Sequence, residues 1–267
     1  MTRISCHFDL VDSKHNFIRD VFCRSMRNRV ELGSLAAIDV LVLCGGLGTR
    51  LRDAVPDRPK GMALVGGIPF LDILVDDLVK QGIRRVIFCV GHLKEQIIDR
   101  FRKRDDAKFV FSEEDSPLGT GGAVLNAMPL IRSNPVLVMN GDSFCRIELD
   151  RFYQYHFDKA ATATLVLTTP EGRHDGGFVC LDKAHQILSF TEKVIPRATE
   201  LFINAGIYFL QTEAIRLLSA APPFSLEHDV LPALVKKKPC FGFLVGSPLV
   251  DIGTPERYRK ADESFST

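Results

Sequence analysis

Residues 38–44 (IDVLVLC) form a short, almost continuous apolar run that leads directly into a glycine-rich segment, residues 45–51 (GGLGTRL). A run of this length is typical of a strand that is buried on both faces of a sheet. In α/β proteins, ligands bind at the carboxyl edge of such strands. The segment therefore predicts a parallel α/β sheet with a binding loop after its first strand.

The rest of the chain alternates between helical and strand patterns. Helical periodicity is found at residues 70–81, 93–101, 119–128, 213–219, 226–235 and 255–263. Strand patterns are found at residues 85–90, 108–111, 135–139, 162–167, 177–181, 186–190, 201–210 and 240–245. Alternation in the first half is typical of βαβ units. The sequence predicts an α/β fold, a mainly parallel sheet with helices on both faces, to which the second half adds strands or a small β layer.

The composition excludes several classes of protein. With 34 basic and 33 acidic residues, the formal net charge of +1 provides no overall field to attract nucleic acid or an anionic membrane. The sequence has no apolar run near the roughly 20 residues of a membrane span and no secretion-signal pattern. Seven cysteines without a Cys-x-x-Cys pair favour a reducing, cytoplasmic location. The oligomeric state stays open, a homo-oligomer included.

Residues 1–36 differ from the rest and are expected to be an extension, helical or poorly ordered, ahead of a single domain at residues 37–267. Within it, residues 18–30 (IRDVFCRSMRNRV) are rich in arginine and fit an amphipathic helix. Such a helix either tethers the chain to a partner or an anionic surface, or belongs to an adventitious extension before a translation start at Met26. The second interpretation is favoured, because a short helix of mixed charge is usually a solvated face.

The glycine-rich segment has the chemistry of a phosphate-binding loop. Gly45, Gly46 and Gly48 allow the backbone to approach a phosphate closely and to point N–H groups at it. Arg50 adds a planar cation suited to phosphate oxygens, and Lys60 follows before the next apolar segment. A P-loop would need a lysine after the last glycine, and a dinucleotide fingerprint would need a third spaced glycine that is missing here. Taken alone, the segment also fits a tight turn after a strand.

Two aspartates lie beside predicted elements in distant parts of the chain. Asp142 follows the predicted strand 135–139 in the sequence NGDS, and Asp251 precedes the last predicted helix in the sequence VDIGTP. A reaction at a phosphate held by the loop would need positive charge there, which Mg²⁺ supplies when one or two carboxylates and the phosphates hold it. The two aspartates are therefore candidate Mg²⁺ ligands. Taken separately, Asp142 also fits a turn, and Asp251 a helix cap.

Together these motifs resemble those of the sugar-phosphate nucleotidyltransferases, over residues 38 to about 262. Within that family the chain looks most like heptose 1-phosphate or mannose 1-phosphate guanylyltransferases. The resemblance implies a Rossmann-like nucleotide-binding core, in which the loop glycines, Thr49 and Arg50 hold the nucleotide phosphates. It places Lys60 near the α-phosphate and assigns the metal to Asp142 and Asp251. One departure is Gly61, which stands where the family commonly has proline and makes this loop freer.

The resemblance also implies a base site and a sugar site. In similar enzymes a Pro-Leu-Gly-Thr segment lines the base pocket, which makes Leu118, Gly119 and Thr120 candidates here. The alternative is a helix start that is capped by Thr120. Without the resemblance, Glu192 and Lys193 also fit a solvated surface pair, and Asn204 also fits a buried asparagine bonded to the backbone. The residues carried over to the sugar-phosphate site are Glu192, Lys193, Asn204 and Gly176.

The reaction implied is the transfer of a nucleoside monophosphate, preferably GMP from GTP, to a sugar 1-phosphate with release of pyrophosphate. The sugar phosphate oxygen is already a competent nucleophile, so the enzyme has to supply positioning and charge neutralisation. Alternatives are a uridylyltransferase acting on an amino-sugar 1-phosphate, a non-catalytic nucleotide-sugar sensor and an NAD-dependent enzyme. The charged residues of all the proposed sites are present, which argues against a non-catalytic sensor. The missing third glycine of the dinucleotide fingerprint argues against an NAD-dependent enzyme.

Overall fold

The computed structural model describes residues 34–171, 173, 175–192, 200–216 and 221–266. The Arg-rich segment 18–30, the rest of residues 1–33 and Lys193 lie outside the described residues. The described part begins with a short 3₁₀ turn, Leu35–Ala37, in which Leu35 is buried.

Within the described residues there are thirteen strands, nine of which form one sheet. Their bounds are β1 Asp39–Leu43, β2 Leu64–Val65, β3 Ile68–Pro69, β4 Arg85–Val90, β5 Lys108–Glu113, β6 Val136–Asn140, β7 Ser143–Phe144, β8 Ala163–Thr168, β9 Gly177–Leu181, β10 Ile187–Glu192, β11 Phe202–Leu210, β12 Cys240–Leu244 and β13 Val250–Asp251.

Seven α-helices lie in the same ranges, with a π-helical turn at Leu226–Val230. Their bounds are α1 Phe70–Lys80, α2 Lys94–Phe101, α3 Gly119–Ala127, α4 Leu149–Asp158, α5 Thr212–Arg216, α6 Leu231–Val235 and α7 Pro255–Phe265. As far as the structure covers the chain, none of its helices combines the length and apolar character needed to cross a bilayer.

Four adjacent strands at one end of the sheet are parallel, in the order β5–β4–β1–β6. The register places Leu43, the last residue of β1, beside Cys89 of β4 and Asn140 of β6. Strand β11 runs antiparallel to β6, β8 and β9, while β10 pairs with β9 and β12 runs parallel to β8. The predicted parallel core is confirmed, and the second half of the chain extends the same sheet.

Helices cover both faces of the parallel core. Phe88 and Cys89 are neighbours in β4 and therefore point to opposite faces. The ring of Phe88 lies 4.4 Å from that of Phe101 in α2, whereas the Cys89 thiol lies 3.8 Å from the carbonyl oxygen of Ala123 in α3. The middle of β1 has no exposed surface, as its continuous apolar run predicts.

Helix α4 has no counterpart among the elements predicted from the sequence. Its buried residues are Leu149, Phe152, Tyr153 and His156, which share one face of a helix. The segment is rich in aromatic residues of modest helix propensity, so only the spacing of the buried positions identifies it. Strands β2, β3, β7 and β13 have two residues each, too few for an alternating pattern to be recognised.

Candidate active site

The glycine-rich loop forms one wall of a cleft at the carboxyl edge of the sheet. The loop follows β1 and the segment 140–142 ends β6, and the parallel pairing of these strands brings both to the same edge. The cleft has a smaller compartment of about 350 Å³ and a larger one of about 730 Å³. The predicted site residues that line the smaller compartment are Gly45, Gly46, Gly48, Thr49, Arg50, Lys60, Gly119, Thr120 and Asp142.

The larger compartment shares a wall with the smaller one. The predicted residues that line it, apart from those of the shared wall, are Gly176, Glu192, Asn204 and Asp251. The residues that face both compartments are Arg50, Lys60, Thr120, Asn140, Asp142 and Gly253. Two ligands bound side by side in this cleft would therefore meet at Lys60 and Asp142.

Lys60 is held at this junction by the tight packing of its neighbour Gly61. The two residues begin a 3₁₀ turn in which Gly61 is buried. A Cβ on Gly61 would lie 2.7 Å from Cγ of Leu71 and 3.1 Å from the carbonyl oxygen of Gly141. The expectation that Gly61 makes the loop freer is therefore wrong, because the glycine permits a close contact. Lys60 Nζ forms an ion pair with Asp142 Oδ2 at 2.5 Å.

A two-stranded ribbon places the two aspartates next to each other. Strands β7 and β13 pair antiparallel, so that Asp251 lies opposite Ser143, the residue after Asp142. Asp251 is not the cap of α7, because the Thr254 side chain accepts the hydrogen bond from the first turn of that helix. The cap interpretation of Asp251 is therefore wrong, and its carboxylate lines the larger compartment.

Two guanidinium groups lie against Asp251, which is itself buried. Arg173 donates to Asp251 Oδ2 and, at 2.6 Å, to the carbonyl oxygen of Leu249. Arg257 approaches Asp251 Oδ2 at 3.5 Å and donates to Asp175, and that hydrogen bond lowers the pKa of Asp175. The rim of the larger compartment thus carries cations that suit a phosphate-bearing ligand.

Only part of the predicted base segment faces the cleft. Pro117, Gly119 and Thr120 line the smaller compartment. Leu118 instead turns toward α3, since its Cβ lies 2.9 Å from the position that a Cβ would take on Gly122. Of the three predicted residues, Gly119 and Thr120 therefore line the smaller compartment.

The Thr120 hydroxyl bonds to the π-helical turn at Leu226–Val230 and does not cap a helix. Helix α3 begins at Gly119, one residue before Thr120. The Thr120 hydroxyl donates to Glu227 Oε2 at 2.6 Å and accepts from the Leu226 N–H at 2.8 Å. The alternative interpretation of Thr120 as the helix cap is therefore wrong.

Glu114 and Cys44 also line the smaller compartment, and neither is among the site residues predicted from the sequence. Glu114 directly follows β5 at the binding edge, and that position is the signal that could have identified it. Its carboxylate accepts from the Leu118 N–H at 3.2 Å, and burial raises its pKa. Burial raises the pKa of the Cys44 thiol well above its usual range, so Cys44 stays neutral and is a poor nucleophile.

Asn204 is fixed on the wall of the larger compartment by two hydrogen bonds. Its Nδ2 donates to the Tyr208 hydroxyl at 2.6 Å, and its Oδ1 accepts from the Gly206 N–H at 3.1 Å. The register between β11 and β8 shifts between Asn204 and Tyr208, and Gly206 has φ +74° at this irregularity. An irregularity of this kind re-aims a side chain. Asn204 thus both bonds the backbone and lines the cleft.

Comparison with known proteins identifies relatives along almost the whole described domain. Residues 39–266 match the family described as nucleotidyl transferase. The chain is 33% identical over 229 residues to the D-glycero-alpha-D-manno-heptose 1-phosphate guanylyltransferase of Aneurinibacillus thermoaerophilus, a match covering 85% of this chain and 98% of the relative. It is 31% identical over 225 residues to the mannose-1-phosphate guanylyltransferase of Mycobacterium tuberculosis, covering 83% of this chain and 62% of the relative.

A solved structure shares both the sequence and the fold. The crystal structure of HddC from Yersinia pseudotuberculosis complexed with GMP-PN matches with a TM-score of 0.73 and 33% identity, covering 85% of this chain and 99% of that one. The predicted nucleotide-diphospho-sugar transferase fold and the resemblance drawn from the motifs are confirmed. The chain belongs to the nucleotidyl transferase family and is a sugar-1-phosphate nucleotidyltransferase.

Proposed function

We propose that the protein transfers GMP from GTP to a heptose 1-phosphate or mannose 1-phosphate, with Mg²⁺ as its metal, and releases pyrophosphate. The observation that carries this proposal is the shared wall of the cleft, where the phosphate loop, Lys60 and Asp142 converge. A nucleotide in the smaller compartment and a sugar phosphate in the larger one would bring their phosphates together there. The choice of sugars follows the named activities of the relatives.

Glu114 supports guanine as the base. A carboxylate only accepts hydrogen bonds, and its two oxygens match a pair of adjacent donors. The Watson–Crick edge of guanine presents such a pair, whereas that of uracil has one donor between two acceptors. Glu114 Oε1 lies 3.1 Å from the position that a Cβ would take on Gly45, so it stands beside the phosphate loop in the smaller compartment. The guanylyltransferase relatives agree with this choice.

Enzymes of this family generally use a divalent metal ion. In the described ranges, no three or more His, Cys, Asp or Glu side chains form a group that could hold one. Asp142 and Asp251 still fit Mg²⁺, which proteins commonly hold with one or two carboxylates while substrate phosphates and waters complete its shell. Both carboxylates already attract cations, Lys60 and Arg173 respectively. Mg²⁺ bound there would neutralise charge on the reacting phosphates.

The reaction is a direct in-line displacement. An oxygen of the sugar 1-phosphate forms a bond to the α-phosphorus, and the bond from that phosphorus to the bridging oxygen breaks, so that pyrophosphate leaves with the electron pair. Arg50 and the N–H groups of the glycine loop hold the β- and γ-phosphates, and Lys60 stabilises the charge around the α-phosphorus. Lys193, which lies outside the described residues, holds the incoming phosphate. A general base is unnecessary because the nucleophile is already ionised.

Pyrophosphate release from the purified protein tests the proposal. GTP, UTP, CTP, ATP and dTTP would each be combined with a panel of sugar 1-phosphates that includes D-glycero-D-manno-heptose, mannose and amino-sugar 1-phosphates. We expect release with GTP and one of the first two sugars, and loss of release when the metal is chelated. Release only with UTP and an amino sugar would replace the proposal by the uridylyltransferase alternative. Nucleotide binding without turnover by any pair would favour a sensor.

The metal assignment is tested by Asp142→Asn and Asp251→Asn, with Asp158→Asn as the control. Asp158 is exposed on α4 and accepts a hydrogen bond from Gln154 in its own helix, away from the described residues that line the cleft. We expect both cleft variants to fold and to lose most turnover, because each removes charge that would hold Mg²⁺. Activity close to that of Asp158→Asn in either variant would remove that residue from the metal site.

A further inference from the structure

We propose that Glu227 and Tyr208 are positioning residues that tie the nucleotide side of the cleft to the sugar side. The inference rests on the proposed function, since it takes the smaller compartment as the nucleotide site and the larger one as the sugar-phosphate site. Neither residue belongs to the phosphate loop, the aspartate pair or the predicted sugar site. Both come from elements in the second half of the chain, the π-helical turn at Leu226–Val230 and strand β11.

A continuous chain of hydrogen bonds crosses between the compartments. At one end, the Thr120 hydroxyl donates to Glu227 Oε2 at 2.6 Å, and the Ser225 hydroxyl donates to the same oxygen at 3.1 Å. Glu227 Oε1 accepts from the Tyr208 hydroxyl at 3.3 Å. The Tyr208 oxygen in turn accepts from Asn204 Nδ2 at 2.6 Å. One carboxylate, which itself lines the larger compartment, therefore anchors Thr120 in the wall that both compartments share and, through Tyr208, Asn204 on the sugar side.

The carboxylate also fixes the direction of every hydrogen bond in this chain. Tyr208 donates its proton to Glu227 Oε1, which leaves the phenol oxygen to accept from the Asn204 amide. Tyr208 has no exposed surface, and burial raises the pKa of its hydroxyl well above the usual range. The hydroxyl thus keeps its proton at working pH, and the Asn204 amide has one orientation.

That orientation matters because Asn204 stands beside a second sugar-site candidate. A Cβ built on Gly177 would lie 3.1 Å from Glu192 Oε1 and 3.2 Å from Cβ of Asn204, so the two side chains flank the same glycine. Both line the larger compartment. With one Nδ2 hydrogen committed to Tyr208, the second Nδ2 hydrogen and the remaining Oδ1 lone pair of Asn204 are left to meet sugar hydroxyls.

The test compares Tyr208→Phe and Glu227→Gln with Tyr155→Phe. The control removes a tyrosine hydroxyl that donates to the Gly242 carbonyl oxygen at 2.9 Å, away from the residues that line the cleft. We expect Tyr208→Phe to raise KM for the sugar 1-phosphate about tenfold, because Asn204 loses its partner. KM for GTP should change by less than about twofold, because the hydrogen bond from Thr120 to Glu227 stays in place. Glu227→Gln keeps one acceptor oxygen, which Thr120 and Ser225 hold, and turns its NH₂ group toward Tyr208, so it should raise KM for the sugar 1-phosphate as Tyr208→Phe does.

A merely structural role predicts a different result. Both cleft variants would then lower the melting temperature as Tyr155→Phe does, and both KM values would stay within about twofold of the wild type. That outcome would overturn the proposal. The proposal would be supported if KM for the sugar 1-phosphate rises in Tyr208→Phe and stays unchanged in Tyr155→Phe.

A second measurement does not depend on turnover. The side-chain amide of Asn204 gives a pair of proton–nitrogen correlation signals in solution NMR, assigned by their loss in Asn204→Asp. We expect these signals to shift and to exchange faster with solvent in Tyr208→Phe, and to stay unchanged in Tyr155→Phe. Unchanged signals in Tyr208→Phe would overturn the positioning role. An inactive wild type would contradict the proposed function alone, and these signals would still decide the role of Tyr208.

Discussion

Replacing Gly119 by alanine should destabilise the protein and weaken nucleotide binding, because two separate costs fall on this position. Gly119 has φ +73°, a left-handed conformation that costs an L-residue about 1–2 kcal/mol. A Cβ there would also lie 2.4 Å from the carbonyl oxygen of Phe224 and 3.0 Å from its nitrogen. These are backbone atoms that cannot rotate away, and overpacking of this kind costs about 1–3 kcal/mol. The two costs together amount to about 2–5 kcal/mol.

Gly67→Ala is the matched control for the conformational part of this loss. Gly67 has φ +78°, and a Cβ there would have no described atom outside its own neighbourhood within 4 Å. The control should therefore lose only about 1–2 kcal/mol. The difference of about 1–3 kcal/mol between the two variants measures the clash with Phe224, and it corresponds to roughly 2–12 °C in melting temperature for a domain of this size.

Chemical denaturation and calorimetry would measure the two stabilities, and titration calorimetry would measure GTP binding. We expect Gly119→Ala to bind GTP more weakly than Gly67→Ala, because the clash pushes Gly119 and Thr120 out of the smaller compartment. Equal losses of stability in the two variants would refute the reasoning, since they would mean that the segment around Phe224 yields without cost.

Three further predictions concern single side chains. Lys60→Ala should lower kcat by a factor of roughly 10² to 10³ in a steady-state assay while the protein stays folded, and full turnover would contradict the role of Lys60. Glu114→Gln should lower kcat/KM for GTP more than Glu113→Gln does. Burial raises the pKa of Glu114, so this carboxylate takes up a proton at a higher pH than an ordinary glutamate does. On acidification, kcat/KM of the wild type for GTP should therefore fall at that higher pH. Glu114→Gln should lack this fall. Burial lowers the pKa of His156 to about 4, below its value in the unfolded chain, so stability should fall by up to about 3 kcal/mol as the pH drops from 6.5 to 4. Denaturant titrations of His156→Gln over this range should show a flatter dependence, and an unchanged slope would contradict it.

The parallel core could be predicted from the sequence because its strands are buried on both faces. Such strands are continuous apolar runs, and residues 38–44 and 85–90 are of this kind. The ribbon of β7 and β13 could not be predicted, because two residues per strand carry no periodic signal and their pairing joins distant parts of the chain. Helix α4 is an intermediate case, since only the spacing of its four buried residues indicates a helix.

The parts of the candidate site that directly follow strands could be predicted from the sequence. The loop at residues 45–50 and Asp142 follow strongly apolar strands, so their meeting at one sheet edge follows from the fold class. Glu227 and Arg257 lie in polar segments without such a strand before them. Their contacts with Thr120 and Asp251 arise only when the second half of the chain packs against the first. A single sequence carries no local signal for contacts of this kind.

The position of Asp251 on the ribbon has a consequence for protein synthesis. Because the chain is made from its N-terminus, the strands of the parallel core can pair while the chain is still growing. The second proposed metal ligand reaches the cleft only when β13 pairs with β7, and α7 follows immediately after it in the chain. A nascent or prematurely terminated chain would present the phosphate loop and Lys60 without this carboxylate. Nucleotide could then be bound before it can be consumed, and catalysis would begin only once residues 250–265 have left the ribosome.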